Sequence, residues 1–458
     1  MEKRTEEILA KARRIHFVGI GGSGMFPLVE ILHNDGYLIT GSDVNEGSII
    51  EYERAMGIRV TIGHDAANAV GADALVVTAA LLEGNPEVAY ADENGIPIIT
   101  RAELLGWTTV HLGDSYCVCG THGKTTTTCM LTSIFMEAGL DPSCVIGGKL
   151  PLIGGYGRRG SGDMMVVESC EFKDTFLHLS PTYPIILNVD ADHLDYFGSL
   201  DGIKKSFRIF AEMAKNTIIA NGDDANTLDT LKGIDRPVIY FGTGENCDYR
   251  ISDIRKGDRA FYSFSLTSPD GNTESYSIGV PGEHNVFNGA AAVTAALIAG
   301  VTPEAIRRGL QGFRGAGRRF EILGEFNGVT FADDYAHHPT ELRVTLDAAR
   351  EMGYSRVIAV FQPFTFTRTS LLLDDFGEAL RRADITVLSD IMGSREINTI
   401  GITSGDLQKL IPESIWLHTF PEICDKVLEI ARPGDLVITL GCGDIYKAAN
   451  MMVNKCRK

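Results

Sequence analysis

Apolar runs alternate with helix-like segments along most of this chain, and this alternation constrains the fold more than any other feature. The runs IHFVGI, YLITGSD and IPIIT come first, and SYCVCG, MMVVESC and YPIILNVD follow further along. Runs of this length and composition are typical of strands that are buried on both faces. Buried strands separated by helices form parallel, doubly wound sheets, so the sequence predicts an α/β fold.

With 458 residues, the chain is longer than a single compact domain usually is. The alternation pauses near Trp107 and again in FRGAGRRFE, residues 313–321, which predicts three domains. Residues 248–280 hold short β-rich runs around the turn sequence SPDGN and predict a small antiparallel patch. The predicted domains are a Rossmann-like N-terminal domain at 1–109, a central domain at 110–315 and a Rossmann-like C-terminal domain at 316–458.

Composition narrows the possible partners. The net charge is −18, whereas nucleic-acid-binding proteins usually carry a basic excess. The nine cysteines include no C-x-x-C pair, which favours reduced thiols. The stretch MEKRTEEILAKARR lacks the apolar segment of a signal peptide, and no apolar run reaches membrane-spanning length. We therefore expect a cytoplasmic protein with no nucleic-acid partner and no membrane insertion.

The stretch CVCGTHGKTTTTCM indicates a phosphate-binding loop between a strand and a helix. Gly120 and Gly123 let backbone N–H groups face an anion at the start of the helix. Lys124 can reach the β- and γ-phosphates, and the Thr125 hydroxyl can bind Mg²⁺. The strict pattern G-x-x-x-x-G-K-[ST] fails at Val118, but the strand and helix on either side favour a nucleotide. The predicted nucleotide-binding residues here are Gly120, Thr121, His122, Gly123, Lys124, Thr125 and Thr126.

Acidic residues follow two further strands of the same region. Glu168 ends the run MMVVE, and Asp190, Asp192 and His193 follow YPIILNV. Carboxylates beside a neutral imidazole suit a hard cation, although either cluster alone is more typical of a solvated acidic loop. Two such clusters in the domain with the phosphate loop favour a metal site. At this point the candidate ligands are the carboxylates and the imidazole of the two clusters, together with the Thr125 hydroxyl.

A second glycine-rich turn lies near the start of the chain. In VGIGGSGM, Gly19, Gly21 and Gly24 follow a strand and precede a helix, and Asp43 ends the next strand. This is a dinucleotide-binding pattern, in which a diphosphate lies at a helix N-terminus and a ribose hydroxyl lies near an acid. NAD and a UDP-sugar both offer these groups, so the turn alone leaves the two ligands open.

Several motifs in a fixed order make a more specific pattern. GTHGKTTTT, NVDADHLD, PGEHNVFNGAAA, GAGRRFE and DDYAHHPTE follow GIGGSGM along the chain. In this combination the chain resembles the Mur ligases of peptidoglycan synthesis, which share a three-domain build with folylpolyglutamate synthetases. The resemblance spans residues 15–370 at least, and the motifs are specific together although none is specific alone. VGIGGSGM and DDYAHHPTE most resemble the member that joins L-alanine to UDP-N-acetylmuramate.

The resemblance implies roles for residues of all three domains. The implied sugar-nucleotide residues are Gly21, Gly22, Ser23 and Gly24 at the pyrophosphate, with Ser42 and Asp43 near the uridine. The implied adenine or ribose contacts are His284, Asn285 and Asn288, and Arg319 and Asp334 of the C-terminal domain would close over ATP. The implied contacts to the amino acid and intermediate are Tyr335, His337 and Arg368.

The implied reaction is amide formation driven by ATP, with Mg²⁺ as the metal. The muramic carboxylate takes the γ-phosphate to form an acyl phosphate, which the amine of L-alanine then attacks. Lys124 would neutralise phosphate charge, and the implied metal ligands are Thr125, Glu168 and His193. His337 would take a proton from the amine, although a purely positioning role is an equally good interpretation. We expect a monomer or a weak homodimer.

Three alternatives stay open at this point. An NAD-dependent oxidoreductase built on GIGGSGM leaves the second phosphate loop unexplained, and a nucleotide switch leaves the first turn unexplained. A murein-peptide recycling ligase shares GTHGKT but resembles the opening turn less. The chain also departs from the family sequence F-Q-P-H-R-Y-[ST]-R-T, because Phe364 and Thr365 replace a histidine and an arginine. No role as a carbamylated lysine can be assigned to Lys204 or Lys205.

Overall fold

The computed structural model describes residues 2–78, 84–394 and 396–457. It confirms an α/β fold built on three sheets, in chain order of five, ten and six strands. Among the described residues, no helix is both long enough and apolar enough to cross a lipid bilayer.

The first sheet is entirely parallel, with the strand order β3-β2-β1-β4-β5. Its strands are β1 (Arg14–Val18), β2 (Leu38–Asp43), β3 (Arg59–Ile62), β4 (Ala74–Val77) and β5 (Ile98–Thr100). The accompanying helices are α1 (Glu2–Lys11), α2 (Phe26–Asn34), α3 (Ser48–Ala55), α4 (Pro86–Glu93) and α5 (Arg101–His111). The strand order reverses at β1, so the carboxyl end of β1 opens into the crevice where ligands of doubly wound sheets bind.

The helices of this region begin at residues that suit helix N-termini. Asn85 caps α4 by accepting the N–H groups of Glu87 and Val88, and Pro86 occupies the first helical position. Thr100 and Glu103 form a reciprocal capping box at the start of α5. These local signals fix where α4 and α5 start, and both starts lie at the ligand-binding edge of the sheet.

The second sheet has the order β15-β14-β13-β12-β11-β10-β6-β9-β7-β8. Its strands are β6 (Asp114–Cys119), β7 (Ser143–Leu150), β8 (Gly155–Arg158), β9 (Met164–Glu168), β10 (Tyr183–Ile186), β11 (Ile218–Asn221), β12 (Val238–Gly242), β13 (Tyr249–Lys256), β14 (Phe261–Thr267) and β15 (Thr273–Pro281). Its helices are α6 (Lys124–Glu137), α7 (Leu194–Phe197), α8 (Leu200–Glu212), α9 (Ala225–Leu231), α10 (His284–Ile298) and α11 (Pro303–Gly312). Strand β6 runs parallel to β9 on one side and to β10 on the other, which places the ends of all three strands together.

Both edges of this sheet depart from parallel pairing. The Ser265 and Ser275 hydroxyls lie 3.1 Å apart and those of Thr267 and Thr273 lie 2.9 Å apart, the register of an antiparallel hairpin around the predicted turn. At the other edge, β7 and β8 pair antiparallel. The sequence analysis predicted the first patch and did not predict the second.

The third sheet has the order β16-β17-β21-β18-β19-β20, with one antiparallel pair between β16 and β17. Its strands are β16 (Glu321–Phe326), β17 (Val329–Asp334), β18 (Val357–Phe361), β19 (Ile385–Leu388), β20 (Ile415–Trp416) and β21 (Leu436–Leu440). Its helices are α12 (Pro339–Glu351), α13 (Phe366–Leu371), α14 (Leu373–Leu380), α15 (Ser404–Leu410), α16 (Phe420–Ile430) and α17 (Tyr446–Cys456). A separate apolar core covers each face of this sheet.

The chain divides into two compact units. The first comprises Met1–Ser252, Ser265–Ser275 and Phe287–Gly312, and the second comprises Asp253–Phe264, Tyr276–Val286 and Phe313–Lys458. One apolar core joins the first two sheets, because Leu104 and Trp107 of α5 belong to the same buried cluster as Phe176 and Phe210. The predicted domain boundaries after residues 109 and 315 stay predictions.

Candidate active site

The phosphate loop forms the predicted turn between a buried strand and a helix. Strand β6 ends at Cys119, and α6 begins at Lys124. Gly123 has a φ of 86°, and a Cβ at this position would lie 2.3 Å from the Asn288 amide oxygen. Because a side chain would be both strained and overlapping, the loop needs glycine here. Asn288 of α10, one of the predicted adenosine contacts, therefore lies directly against the loop.

The Lys124 side chain is only 14% exposed, and its ammonium has three partners. It donates to the carbonyl oxygens of Gly120 at 2.5 Å and Thr121 at 3.0 Å, and it lies 3.1 Å from Glu171 Oε1. Burial alone would lower the pKa of Lys124, but the charge of Glu171 and its hydrogen bond outweigh that effect and raise the pKa. Lys124 is therefore a fixed positive charge at the end of β6.

Thr125 and Glu168 meet beside this charge. The Thr125 hydroxyl donates to Glu168 Oε1 at 2.9 Å, and Glu168 Oε2 accepts the N–H of Gly147 at 2.6 Å. A hydroxyl and a carboxylate are hard oxygen donors, and Mg²⁺ usually takes only one or two carboxylates besides phosphates and water. The chemistry of this pair fits Mg²⁺.

A second set of contacts ties the loop to the segment after β10. The N–H of His122 donates to the Asn188 amide oxygen at 2.8 Å, and the Asn188 amide returns a bond to the His122 carbonyl at 3.1 Å. The Thr121 hydroxyl accepts the N–H of Asp190 at 2.8 Å, and His122 Nε2 lies 3.4 Å from Asp190 Oδ2. These bonds hold the backbone of the loop in place, while Thr126 lies half-buried in the first turn of α6.

His193 lies just before α7 in a left-handed conformation, with φ of 52°. Its Nε2 atom is 3.7 Å from Asp192 Oδ2, and its ring centroid is 4.6 Å from that of Phe172. Across residues 2–78, 84–394 and 396–457, no three His, Cys, Asp or Glu side chains form a group able to hold a metal ion. The predicted role of His193 as a metal ligand stays a prediction.

The first glycine turn lies at the carboxyl end of β1. Gly19 donates its N–H to the Ser42 carbonyl at 2.8 Å, and Gly21 donates to Asp43 Oδ2 at 3.0 Å. A Cβ at Gly21 would lie 2.8 Å from the Ile50 side chain, so α3 approaches the turn closely. Gly22 and Ser23 form the exposed tip of the turn. The structure thus brings the turn together with Ser42 and Asp43, as the pattern predicts.

Arg101, which the sequence analysis did not name, supplies a positive charge at this turn. Its Nε atom donates to the Gly24 carbonyl at 2.6 Å. Burial lowers the pKa of Arg101, and the charge of the Glu168 carboxylate acts in the opposite direction. Since an arginine stays protonated under these conditions, Arg101 brings a cation to the region between the first turn and Glu168.

Two carboxyls with buried oxygens lie on α2 and α3, the helices that follow this turn and β2. Glu53 of α3 is fully buried, and neither of its oxygens has a hydrogen-bond partner among the described residues. Burial, followed by the charges of Asp43 and Glu30, raises the pKa of Glu53 to about 8. Burial raises the pKa of Glu30 on α2 to about 7. Glu53 therefore favours the protonated, neutral form at neutral pH, and Glu30 is close to half-protonated there.

Glu87, at the start of α4, is a third buried carboxyl, but it is well hydrogen-bonded. Its oxygens accept from the Ser42 hydroxyl and the Asn68 amide, both at 2.7 Å. Burial opposes its ionisation, but the nearby His16 imidazole and the hydrogen bonds from Asn68 and Ser42 outweigh that effect and lower the pKa of Glu87 to about 2. Glu87 is therefore an anion beside the predicted uridine site.

The second compact unit holds the remaining predicted residues. Burial lowers the pKa of His284 to about 4, so this imidazole is neutral at physiological pH. The Asn285 amide donates to the Pro281 carbonyl at 2.7 Å, which fixes the turn before α10.

Asp334 ends β17 and accepts the N–H groups of Phe320 at 2.7 Å and Ala336 at 2.8 Å. Burial raises the pKa of Asp334 to about 6, against the opposing charge of Arg319. The Arg319 guanidinium lies 4.9 Å from the centre of the Tyr335 ring. The structure thus places Arg319, Asp334 and Tyr335 together.

Arg318 is the more constrained of the two neighbouring arginines. Its guanidinium bonds Asp333 Oδ2 at 2.9 Å and the carbonyls of Gly443 at 3.1 Å and Gly441 at 2.5 Å. It also lies 4.9 Å from the centre of the Tyr335 ring. These contacts give Arg318 a structural role in joining β16, β17 and β21, which the sequence analysis missed because two adjacent arginines look alike.

His337 lies just before α12. Its Nδ1 atom is 3.1 Å from the Tyr335 carbonyl and 3.2 Å from Glu341 Oε2. Arg368 lies on α13, near enough to Cys442 to oppose the effect of burial on the pKa of that thiol, which is raised to about 12. The departure from the family sequence lies at the start of α13, where Thr365 has a φ of 64° and donates its N–H to the Met392 carbonyl at 2.9 Å.

Comparison with known families identifies the class of protein. Three models of the Mur ligase family match the chain: "Mur ligase family, catalytic domain" at residues 14–111, "Mur ligase middle domain" at 118–296 and "Mur ligase, glutamate ligase domain" at 318–443. The chain belongs to the Mur ligase family.

Individual relatives show which members of the Mur ligase family this chain is similar to. UDP-N-acetylmuramate–L-alanine ligases of Caldanaerobacter subterraneus subsp. tengcongensis and Agathobacter rectalis are 40% and 41% identical to it, over 98% and 97% of this chain and 99% of each relative. The crystal structure of the UDP-N-acetylmuramate–alanine ligase of Thermotoga maritima matches with a TM-score of 0.84 and 26% identity, over 97% of this chain and 99% of that one. A murein peptide ligase of Psychrobacter arcticus shares the fold, with a TM-score of 0.74, 24% identity and coverage of 97% and 98%.

Proposed function

We propose that this protein is an ATP-dependent ligase that joins L-alanine to the carboxylate of UDP-N-acetylmuramate in peptidoglycan synthesis. The observation that carries this proposal is the sequence identity of about 40%, over nearly the whole length, to ligases of that name. The two glycine-rich turns support it, because a ligase of this kind must hold two separate polyphosphates. An NAD-dependent oxidoreductase needs only one such turn.

In this proposal the first turn holds the diphosphate of the sugar nucleotide. Backbone N–H groups of Gly22, Ser23 and Gly24 would face the phosphates at the start of α2, where the helix dipole favours negative charge. Asp43 would accept a ribose hydroxyl.

The phosphate loop would hold ATP. Lys124 and the loop N–H groups would bind the β- and γ-phosphates, and Asn288 would contact the nucleoside beside Gly123. His284 and Asn285 at the start of α10, together with Arg319 and Asp334, are the further proposed ATP contacts. We infer that Thr125 and Glu168 hold Mg²⁺, with His193 as the third protein ligand. When bound, Mg²⁺ would neutralise phosphate charge and polarise the γ-phosphoryl group.

The reaction has two steps, a phosphoryl transfer and an acyl transfer. The muramic carboxylate attacks the γ-phosphorus, so that ADP leaves and an acyl phosphate forms. The amine of L-alanine then attacks the acyl carbon, and inorganic phosphate leaves with the bonding electrons. Negative charge builds up on phosphate oxygens in both steps, and the fixed charge of Lys124 opposes it without reorganisation.

A base must remove a proton from the alanine ammonium before the attack. His337 is the proposed base, since its Nδ1 atom is engaged with the Tyr335 carbonyl and Glu341, which leaves Nε2 for the substrate. Tyr335 and Arg368 would position the amino acid and the intermediate. Phe364 and Thr365 replace two polar family residues, so Arg368 would carry more of the contact to the alanine carboxylate.

We place this activity in the cytoplasm, because its substrates are ATP and a nucleotide-linked sugar. A monomer or weak homodimer stays our prediction for the oligomeric state.

The test is ADP formation with UDP-N-acetylmuramate and Mg²⁺ against a panel of L-alanine, glycine, L-serine and a murein tripeptide. We expect turnover that depends on the sugar nucleotide and is fastest with L-alanine. Faster turnover with the tripeptide would replace this proposal with peptide recycling. Turnover without the sugar nucleotide, or reduction of NAD, would exclude the ligase.

A further inference from the structure

Glu87 organises a set of polar side chains at the carboxyl edge of the first sheet. Its Oε2 atom accepts from the Ser42 hydroxyl at 2.7 Å, and its Oε1 atom accepts from the Asn68 amide at 2.7 Å. The N–H of Asp65 also points at Oε1, at 3.4 Å. The carboxylate is fully buried, so its orientation is set by these donors and not by solvent.

His64 belongs to this set and is partly exposed to solvent. Its Nδ1 atom lies 3.1 Å from the Ser42 hydroxyl and 3.3 Å from Glu87 Oε2, and about a fifth of its side chain is exposed. His16 approaches the same carboxylate oxygen from the buried side, with Nε2 at 3.7 Å.

The proton on His64 follows from these partners. An ionised carboxylate only accepts hydrogen bonds. Ser42 gives its proton to Glu87, so the Ser42 oxygen can only accept from His64. Both neighbours of His64 Nδ1 are therefore acceptors, and a neutral imidazole here carries its proton on Nδ1. Its Nε2 atom then presents a lone pair.

The position of His64 relates this lone pair to the nucleotide base. Asp43 and Ile62 are register partners at the ends of β2 and β3, and the N–H of Gly63 donates to the Asp43 carbonyl at 2.8 Å. In dinucleotide-binding sheets, the acid at the end of β2 binds the ribose. A base attached to a ribose held by Asp43 would extend toward the neighbouring strand β3, where His64 follows the strand.

We propose that Glu87 holds His64 as the Nδ1–H tautomer, so that His64 Nε2 accepts the imide N–H of a uracil ring. His64 would thus be a specificity-determining residue and Glu87 the residue that positions it. This inference rests on the proposed function for the identity of the nucleotide, a uridine diphosphate.

The proposed contact distinguishes uracil from cytosine. Uracil has an N–H donor at N3, whereas cytosine has a lone pair at the same atom. Two facing lone pairs leave both groups without a partner, and an unsatisfied pair of this kind weakens binding about 10- to 100-fold.

The variant Glu87→Gln distinguishes a role of Glu87 in positioning the His64 proton from a role in packing alone. Asn68 and Asp65 both donate to the Oε1 position, so the glutamine oxygen is held there and its NH₂ group takes the Oε2 position. That NH₂ group donates toward His64 Nδ1, which must then accept and carry its proton on Nε2. The imidazole would present a donor, which suits cytosine.

The experiment measures dissociation constants of UDP and CDP for the full-length protein by calorimetry at pH 8, where imidazoles are ordinarily neutral. The variants are Glu87→Gln, His64→Ala and, as a matched control, Glu93→Gln at an exposed position of α4. Thermal unfolding checks that each variant is folded.

We expect the wild type and Glu93→Gln to prefer UDP over CDP about 10- to 100-fold. In Glu87→Gln the preference falls at least about tenfold, with tighter binding of CDP, and in His64→Ala it falls through weaker binding of UDP. If Glu87→Gln folds poorly, His64→Ala still decides the question because its side chain is partly exposed.

Equal binding of UDP and CDP by the wild type, or an unchanged preference in folded His64→Ala, would overturn the inference. Neither result depends on amide formation, which the alanine-dependent turnover assay measures separately. A failure of the base contact is thus distinguishable from a failure of the proposed function.

Discussion

The two glycine-rich turns share a plan and differ in their charges. Each follows an interior strand of its sheet and leads into a helix, at Gly19–Gly24 after β1 and at Gly120–Gly123 after β6. The phosphate loop has its own cation, Lys124, bound to its own carbonyls and to Glu171. The first turn is bonded to Asp43, whose charge contributes to the raised pKa of Glu53, and its cation is Arg101, from the start of α5.

This difference matches the chemistry each turn is proposed to do. The diphosphate of a sugar nucleotide keeps its charge throughout the reaction, so backbone N–H groups and one peripheral arginine suffice to hold it. The phosphates of ATP gain charge in the transition state, and a fixed buried cation opposes that gain most effectively. We therefore expect changes at the phosphate loop to affect turnover and changes at the first turn to affect binding.

Lys124→Ala should have the largest effect. It removes the charge that meets the transferring phosphoryl group, and we expect turnover at saturating ATP to fall by about 10²–10³-fold or more. The measurement is ADP release with both other substrates saturating, with Lys409→Ala, at an exposed lysine, as the control.

Lys124→Ala also leaves Glu171 buried without its partner, which by itself destabilises the fold. Lys124→Ala combined with Glu171→Gln removes that unpaired charge. Near wild-type turnover in either folded variant would show that Lys124 is not part of the phosphate site.

Glu168→Gln tests the oxygen donors beside the loop. The amide keeps the size of the side chain and loses its charge. We therefore expect the Mg²⁺ concentration for half-maximal turnover to rise about 10- to 100-fold, which is the typical loss when a residue that helps to hold a metal ion is changed. A titration of turnover with Mg²⁺ measures this, with Glu137→Gln at the end of α6 as the control. An unchanged Mg²⁺ requirement would make Glu168 a structural partner of Thr125 and Gly147.

Arg101→Ala should act on binding at the first turn. It removes a charge-assisted bond to the Gly24 carbonyl and a cation near the diphosphate, so we expect the KM for UDP-N-acetylmuramate to rise about tenfold, with a smaller change in kcat. Steady-state kinetics with varied sugar nucleotide and saturating ATP make the measurement. A fall in kcat with KM unchanged would remove the distinction between the two turns.

The sequence analysis identified site residues that lie within one continuous segment and missed those that come from distant parts of the chain. Both turns are continuous strand–turn–helix segments, so their glycines, Lys124 and Asp43 could be read directly. Arg101 and Glu87 reach the first turn through the packing of α5 and α4, which no short motif encodes. Strands β7 and β8 were missed for another reason. Their glycine-rich sequence, around IGGKL and GGYGR, lacks the apolar run typical of a buried strand.

Glu53→Gln should have the smallest effect, on stability alone. The ordinary pKa is 4.5 and the folded value is about 8, so the folded state retains a proton that the unfolded chain releases. The free energy of unfolding therefore falls as pH rises between these values, by at most about 1.4 kcal/mol per pH unit. Glutamine has no proton to lose, so the variant should melt above the wild type at pH 8 and closer to it at pH 5.

Thermal melting at the two pH values measures this effect, with Glu51→Gln, at an exposed position of α3, as the control. A difference between variant and wild type that is the same at pH 5 and pH 8 would mean that Glu53 titrates normally. The raised pKa of Glu53 in the folded protein would then be wrong.

The path of the chain between the two compact units affects how this protein can be made or cut. The chain passes from one unit to the other after residues 252, 264, 275, 286 and 312. A fragment that starts at 313 would lose Lys256 and Tyr262, both of which contact Glu351 on α12. During synthesis on a ribosome, these two residues emerge well before α12, so their contacts with Glu351 form only after α12 has been made. The second unit therefore cannot be completed until translation is nearly finished. A C-terminal truncation would leave residues 253–264 and 276–286 without the rest of their unit.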